Sequence, residues 1–388
     1  MEIIFANRKN CFEIRGGDTV QMEKTKEYLE KMYDDVVIRY AFTPQEILLN
    51  NSAKIIHIFN IQNFYETKQF IEVAKQKNLI IILSPIYWDL LDAQYINYLK
   101  IFQIYALKSP KIFKTSLINI FNFLITHVPT LKNKYQNTIK NGLYGSKKNK
   151  EIGRYILSNA DYILPNSPEE GSIIEDYFKI SLKENLISIP NAFDSRNVIV
   201  SNNDKIPALP ENFILQVGRL ETTKNQLNLI KALYNSPEIP LVFVGKCVDK
   251  KYYNKLQHHA KKRGNVFFIN EVSHNEIKEI FKRAKVHVLA SFRESPGLVS
   301  LEAKQFGCEI VVSDKRYCPI EYYQFDKLGF TCNPYNLKSI KNAVLKAYYH
   351  PKNTSFTEEY IKFFSYDNVA KMTYEVYLKS KKNKSISV

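Results

Sequence analysis

The most constraining feature of this chain is an alternation that runs through it twice. Short, nearly continuous apolar runs are separated by longer segments whose apolar residues fall three and four apart. In the first half, Ile3–Phe5, Val36–Tyr40, Ile55–Phe59 and Leu79–Leu83 read as strands, and the spacing predicts helices over Val20–Met32 and Tyr65–Lys77. The alternation restarts at Phe213–Val217 and continues through Leu241–Val244, Val266–Ile269, Val286–Ala290 and Glu309–Val312. Strands that lack a polar face are covered by helices on both sides, which points to parallel, doubly wound sheets. A chain of 388 residues is also longer than one hydrophobic core usually supports, about 250–300. The polar, proline-bearing stretch Asn191–Asn212 reads as the junction. The expectation is α/β: two doubly wound, Rossmann-like domains facing a central cleft.

Composition narrows the chemistry less. Apolar residues make up 45% and charged residues 24%, which excludes wholesale disorder. Fifty-five Lys and Arg against 39 Asp and Glu leave a net charge of +16, which attracts polyanions, anionic membrane surfaces or phosphorylated small molecules alike. Cys11, Cys247, Cys308, Cys318 and Cys332 are odd in number and contain no C-x-x-C, so a reducing cytoplasm is the simplest expectation. No secretory signal is read at Met1-Glu-Ile-Ile-Phe5. The most apolar stretch, Leu117–Val128, is shorter than the ~18–20 residues a bilayer crossing needs, and lysines flank it on both sides. It suits either a helix lying on an anionic membrane or a buried helix with solvated ends.

Three segments carry the phosphate and sugar chemistry. Gly16-Gly17 follows the first strand and opens a helix, where backbone amides can approach an anion; a tight turn capped by Asp18 or Thr19 is the plainer reading. It is neither a dinucleotide fingerprint nor a P-loop. At the equivalent strand of the second half, Val217-Gly218-Arg219-Leu220 is followed by Lys224-Asn225, which places two cations at a strand end. The third segment runs Ser291-Phe292-Arg293-Glu294-Ser295-Pro296-Gly297-Leu298-Val299-Ser300-Leu301-Glu302 after a strand. Pro296 suits the first turn of a helix, and Gly297 leaves the next amides open. Seven residues separate Glu294 from Glu302, too far for the ~5–5.5 Å carboxylate couple of a retaining glycosidase. Two carboxylates gripping different diols of one extended ligand fit better.

These motifs together resemble the family-4 retaining glycosyltransferases of the GT-B fold. The likeness covers most of the chain. Besides E-x7-E and G-R-L-x-x-x-K, Ser158–Ser167 is similar to the family's A-D-x-V-I-x-x-S strand, Ile189-Pro190-Asn191-Ala192-Phe193-Asp194 to I-P-N-G-V-D, and Val266–Val272 to V-x-F-x-G-x-V. The segment Phe364-Ser365-Tyr366-Asp367 and the apolar residues after it resemble the family's last helix, with Ser365 as its cap.

The resemblance implies an acceptor-side domain over 1–195, a nucleotide-sugar-binding domain over 205–360, and a helix over 366–382 crossing back to the first. It implies that Arg219 and Lys224 hold the donor diphosphate and take the place of a metal, no D-x-D site being present. Glu294 would meet the transferred sugar and Glu302 the ribose. Gly218 and the amides of Gly297, Leu298 and Val299 would line the donor, Val272 would lie near the base, and Gly16-Gly17 would close on the diphosphate. No cofactor and no metal are expected, the nucleotide-sugar being substrate. The acceptor would be a saccharide or lipid-linked glycan at the cytoplasmic face, with an anionic membrane surface as a further partner.

Where many members carry a histidine, this chain has Leu83-Ser84-Pro85-Ile86-Tyr87-Trp88. Ser84, Tyr87 and Trp88 are acceptor-side candidates, a packed loop being the alternative. The usual E-G-F-G is Glu294-Ser295-Pro296-Gly297 here. His57, inside an apolar strand, reads as a core residue. Two other classes stand beside the transferase: a non-catalytic GT-B protein that binds a sugar nucleotide, and a basic nucleic-acid-binding protein using its 26 Tyr and 24 Phe for stacking. The second lacks any recognisable reading motif, and no nucleic-acid partner is expected.

Overall fold

The computed structural model describes residues 1–13, 15–88, 111–134, 146–182, 184–194 and 209–386. The chain divides into two compact units, one built from Met1–Ala192 with Lys362–Val388 and the other from Phe193–Ile361.

The N-terminal unit contains β1 (Glu2–Ala6), α1 (Gly17–Met32), β2 (Val37–Ala41), α2 (Pro44–Leu49), β3 (Ile55–Phe59), α3 (Phe64–Gln76), β4 (Ile80–Ser84), α4 (Lys111–His127), α5 (Pro129–Lys134), α6 (Lys147–Ser158), β5 (Tyr162–Ile163) and α7 (Pro168–Phe178). Its strands lie in the order β2-β1-β3-β4-β5, all parallel. Strands β3 and β4 are buried along their whole length, as continuous apolar runs require when helices cover both faces.

The second unit contains β6 (Phe213–Val217), a 3₁₀ turn (Thr222–Lys224), α8 (Gln226–Ala232), β7 (Leu241–Val244), α9 (Lys250–Arg263), β8 (Val266–Ile269), α10 (His274–Arg283), β9 (Ala284–Leu289), α11 (Val299–Gln305), β10 (Glu309–Ser313), α12 (Phe325–Leu328), β11 (Phe330–Cys332) and α13 (Leu337–Tyr349). The order is β11-β10-β9-β6-β7-β8, again parallel throughout. A short helix, α14 (Glu358–Phe363), and a long one, α15 (Tyr366–Ile386), follow.

Helix α15 belongs to the N-terminal unit. Val369, Ala370, Val376 and Tyr377 enter its core beside Ile3, Phe5 and Met22. Tyr374 stacks on Tyr33 with ring centres 3.7 Å apart, and Ser365 Oγ accepts the Asn368 N–H at the start of the helix. Tyr377 also reaches β3, its hydroxyl 2.7 Å from Nδ1 of the buried His57, whose Nε2 lies 2.9 Å from Ser84 Oγ. His57 is therefore a hydrogen-bonded core residue, and burial pushes its pKa down to about 3.

The predicted strands are present with boundary shifts of a residue or two; β5 lies in the Ser158–Ser167 segment likened to a family strand, and β11 is a further strand at one edge of the second sheet. Neither Asp18 nor Thr19 caps α1. Gly16 occupies the cap position, while Asp18 is buried in an ion pair with Arg8 at 2.8 Å. Helix α4 is not a buried helix: Ile120, Phe123 and Leu124 are exposed on it, and Ile125 is buried. Among the described residues, no helix is long and apolar enough to cross a membrane.

Candidate active site

In the second unit, β6 and β9 are hydrogen-bonded neighbours at the centre of the sheet, so the loops leaving their C-terminal ends meet. Hydrogen bonds join them: the Phe292 backbone N–H donates to Thr223 O (2.9 Å), and the Asn225 side-chain Nδ2 donates to Ala290 O (2.8 Å). This brings Lys224 to Glu294, with Nζ 2.7 Å from Oε1 and both groups largely withdrawn from water. The stem of Lys224 runs over Gly218, where an added Cβ would stand 3.8 Å from Lys224 Cδ. Glu294 is fixed from behind by its own N–H, which donates to Tyr317 O (2.8 Å).

Arg219 sits beside this pair on the same loop and is more open. Its Nη2 lies 3.0 Å from Glu221 Oε1, an oxygen that also accepts from Thr223 Oγ1 (2.7 Å), and its carbonyl accepts from Gln226 Nε2 (2.9 Å). The guanidinium keeps donors for an arriving anion.

The loop after β9 enters α11 through a cis Ser295–Pro296 bond and Gly297 at φ +93°. The turn needs glycine for its dihedral; a Cβ on Gly297 would also approach Leu289 Cδ2 to 2.9 Å, a side-chain tip that would have to shift. The first helical bonds run from Ser300 N to Gly297 O and from Glu302 N to Leu298 O, which leaves the amides of Gly297, Leu298 and Val299 ahead of the ladder. Glu302, half-buried in α11, has its pKa pushed up to about 7, first by burial and then by Asp194, with Lys278 pulling the other way. Lys278 Nζ is 3.4 Å from Asp194 Oδ2. Val272 and Val299 are partly buried in one apolar cluster with Val244 and Ala303, the neighbour of Glu302.

The structure thus brings Gly218, Arg219, Lys224 and Glu294 into one loop pair, and places Gly297, Leu298, Val299, Glu302 and Val272 along the helix and cluster beside it. Gly16 and Gly17 lie in the N-terminal unit at the start of α1; nothing approaches the side-chain position of Gly17 within 4 Å. Ser84, Tyr87 and Trp88 form a packed loop, with relative exposures of 2%, 1% and 1%. Glu170 explains why: its buried carboxylate accepts the Tyr87 N–H and, at 2.6 Å, the Asn166 N–H, which draws the loop inward.

Several contributors were not read from the sequence. Asp194 and Lys278 are far from Glu302 along the chain, and only the fold reveals their charges acting on it. Gly245 had a visible signal, a glycine directly after a strand in a chain with only 12. Its φ is +148°, and an added Cβ would come within 2.2 Å of Gly218 O. The close approach of these two backbones shapes the Gly218–Lys224 loop.

Residues 201–362 match the family model described as Glycosyl transferases group 1. An uncharacterized glycosyltransferase of Methanocaldococcus jannaschii is 32% identical over 176 residues, 43% of this chain and 45% of that protein. The N-acetylgalactosamine-N,N'-diacetylbacillosaminyl-diphospho-undecaprenol 4-alpha-N-acetylgalactosaminyltransferase of Campylobacter jejuni is 29% identical over 187 residues, 48% of this chain and 50% of that protein. The chain spans about half the length of the curated relatives it matches. Among solved structures, Anabaena HepE in complex with UDP and glucose superposes with a TM-score of 0.69 at 14% identity, covering 98% of this chain and 100% of that one. The two parallel α/β units therefore make up the GT-B fold, and the second unit carries a region similar to group 1 glycosyl transferases.

Proposed function

We propose that the chain is a retaining, metal-independent glycosyltransferase that moves a hexose-like sugar from a nucleotide-sugar donor to a saccharide or lipid-linked acceptor in surface glycan biosynthesis. The observation that carries this reading is the Lys224–Glu294 pair at 2.7 Å, with Arg219 alongside, at the C-terminal ends of two neighbouring parallel strands. Two cations there neutralise the charge that grows on the departing nucleoside diphosphate. Glu294 accepts hydroxyls of the transferred sugar, Glu302 the ribose diol, and the amides of Gly297 to Val299 meet donor oxygens, with Val272 near the base. Retention follows from front-side attack: the acceptor hydroxyl bonds to the anomeric carbon as the bond to the diphosphate breaks, and the departing phosphate oxygen takes the hydroxyl proton. The Campylobacter relative is named for a diphospho-undecaprenol acceptor, and the Anabaena structure holds UDP and glucose, which supports both substrate classes. The exposed Ile120, Phe123 and Leu124 of α4, followed by exposed Lys132, support peripheral contact with an anionic membrane on the cytoplasmic side. Ser84, Tyr87 and Trp88 are not assigned to the acceptor, because packing holds them inside.

The test is a thermal-shift panel of UDP-, GDP-, ADP- and CMP-linked sugars on the wild type, Arg219→Ala and Glu302→Ala. One donor class stabilises the wild type and loses most of its effect on both variants. Equal stabilisation of all three proteins would overturn the assignment. With the donor known, Lys224→Ala should lower kcat/KM by about 10²- to 10³-fold, as expected for loss of one transition-state charge contact.

A further inference from the structure

A second cluster of cations lies away from these loops. Helix α9 carries Lys251, Lys255, His258, His259 and Lys262, which helical spacing gathers on one flank, while Tyr252, Leu256, Ala260 and Arg263 form its buried face. Its neighbour α8 has Lys231 in its last turn. Tyr234, just beyond, joins the two helices: its hydroxyl bonds to His259 Nδ1, the two rings stack with centres 6.0 Å apart, and Lys262 Nζ lies 5.5 Å over the Tyr234 ring. Tyr234 stands between the end of α8 and the start of β7, at the edge where the parallel strands begin. Gly218, Lys224 and Glu294 stand where they end, so the two groups occupy opposite edges of the sheet.

Among the described residues, the charges acting on Lys231 and His259 are all positive. Burial lowers the pKa of half-buried Lys231, and Lys255 lowers it further. Burial also lowers that of His259, followed by Lys231, His258, Lys255 and Lys262. Glu238 acts on Arg263 and Tyr348, and Asp249 is engaged as the cap of α9, accepting the Tyr252 N–H at 3.0 Å. Burial raises the Tyr234 hydroxyl, which is paired with Nδ1 of His259. Three lysines beside the Tyr234–His259 pair, with no carboxylate acting on Lys231 or His259 among the described residues, suit an anion that brings two or more negative charges.

We propose that Lys231, Lys255, His259 and Lys262 form a second anion site, for a phosphate monoester or diphosphate group, separate from the donor loops. That group is either a free phosphate or the headgroup of an anionic lipid.

The experiment is calorimetric titration of the full chain with inorganic pyrophosphate, paired with sedimentation on phosphatidylcholine vesicles with and without phosphatidic acid, whose headgroup is a phosphate monoester. The wild type should bind pyrophosphate at two classes of site. Arg219→Ala removes one class; the Lys255→Glu/Lys262→Glu double variant weakens the other at least tenfold, and the milder Lys231→Gln weakens it severalfold without reversing a charge. Loss of phosphatidic acid binding in the double variant identifies a lipid source; unchanged vesicle binding with lost pyrophosphate identifies a free one. Retained pyrophosphate binding in both Lys231→Gln and a double variant that melts like the wild type overturns the site. That result is independent of what Arg219→Ala does, so failure here and failure of the donor assignment are told apart.

Discussion

At the scale of single residues, two features of the second unit have consequences that bulk burial would not suggest. Gly245 combines φ +148° with a site where a methyl group meets Gly218 O at 2.2 Å. Gly245→Ala should therefore cost more than about 2 kcal/mol, combining dihedral strain with backbone displacement, and should distort the Gly218–Lys224 loop. Urea melts measure the first effect and donor titration the second. Glu302 behaves differently. Its carboxyl is raised to about 7 from an ordinary value of 4.5, so the folded state holds a proton that the unfolded state has released. Stability from this group is present below pH 4.5 and is lost as pH rises towards 7. Glu302→Gln should then stabilise the ligand-free protein on the order of 1–2 kcal/mol at pH 8, allowing for its partial exposure, and be near neutral at pH 4.5, while losing donor binding at both. A variant no more stable at pH 8 than the wild type would contradict the shift. Neither residue's situation is written locally. The motif around Glu302 is legible as E-x7-E, but the charges of Asp194 and Lys278 reach it only through the fold.

At the scale of elements, legibility followed length and burial. Strands β3, β4, β6 and β7 are apolar runs covered on both faces, and their pattern announces them. Strands β5 and β11 have two and three residues, too few for a period to show, and they exist because a neighbouring strand offers a ladder. The loop at Ser84–Trp88 leaves two readings open in the sequence for a related reason. An exposed aromatic platform and a packed one have the same composition, and the decision rests on Glu170, some 80 positions away. Helix α15 is held by specific contacts as well as apolar ones. Tyr377→Phe removes a 2.7 Å partner of buried His57 and should cost about 1–3 kcal/mol, read as a lowered urea midpoint with unchanged slope. In α10, Ser273 and Glu276 form a reciprocal capping box, and Ser273→Ala should cost about 1 kcal/mol.

At the scale of the whole molecule, each unit has a core and each buries one neutral histidine, His57 in the first and His287 in the second, both with pKa lowered to about 3 by burial. An unfolded chain protonates these below about 6.5. Their contribution is complete above that pH and falls away as pH drops towards 3, opposite in sign to Glu302, so acidification should destabilise the first unit, while in the second the His287 and Glu302 shifts oppose each other. Hydrogen exchange at pH 7 and pH 5 should show faster opening of β3 at the lower pH, and a smaller change at β9, where Glu302 offsets His287. The twofold alternation in the sequence made the two-unit plan readable from the start, but the membership of α15 in the first unit came only from the family resemblance.

That membership gives the chain an unusual order of assembly. The N-terminal unit is written in two pieces, with the whole of Phe193–Ile361 between them. On the ribosome, the second unit has its full complement of strands before α15 has been translated, so the unit begun first is the one completed last. Until then, the bed that receives Val369, Ala370, Val376 and Tyr377 is an open apolar surface on a nascent chain, a place for a chaperone to act.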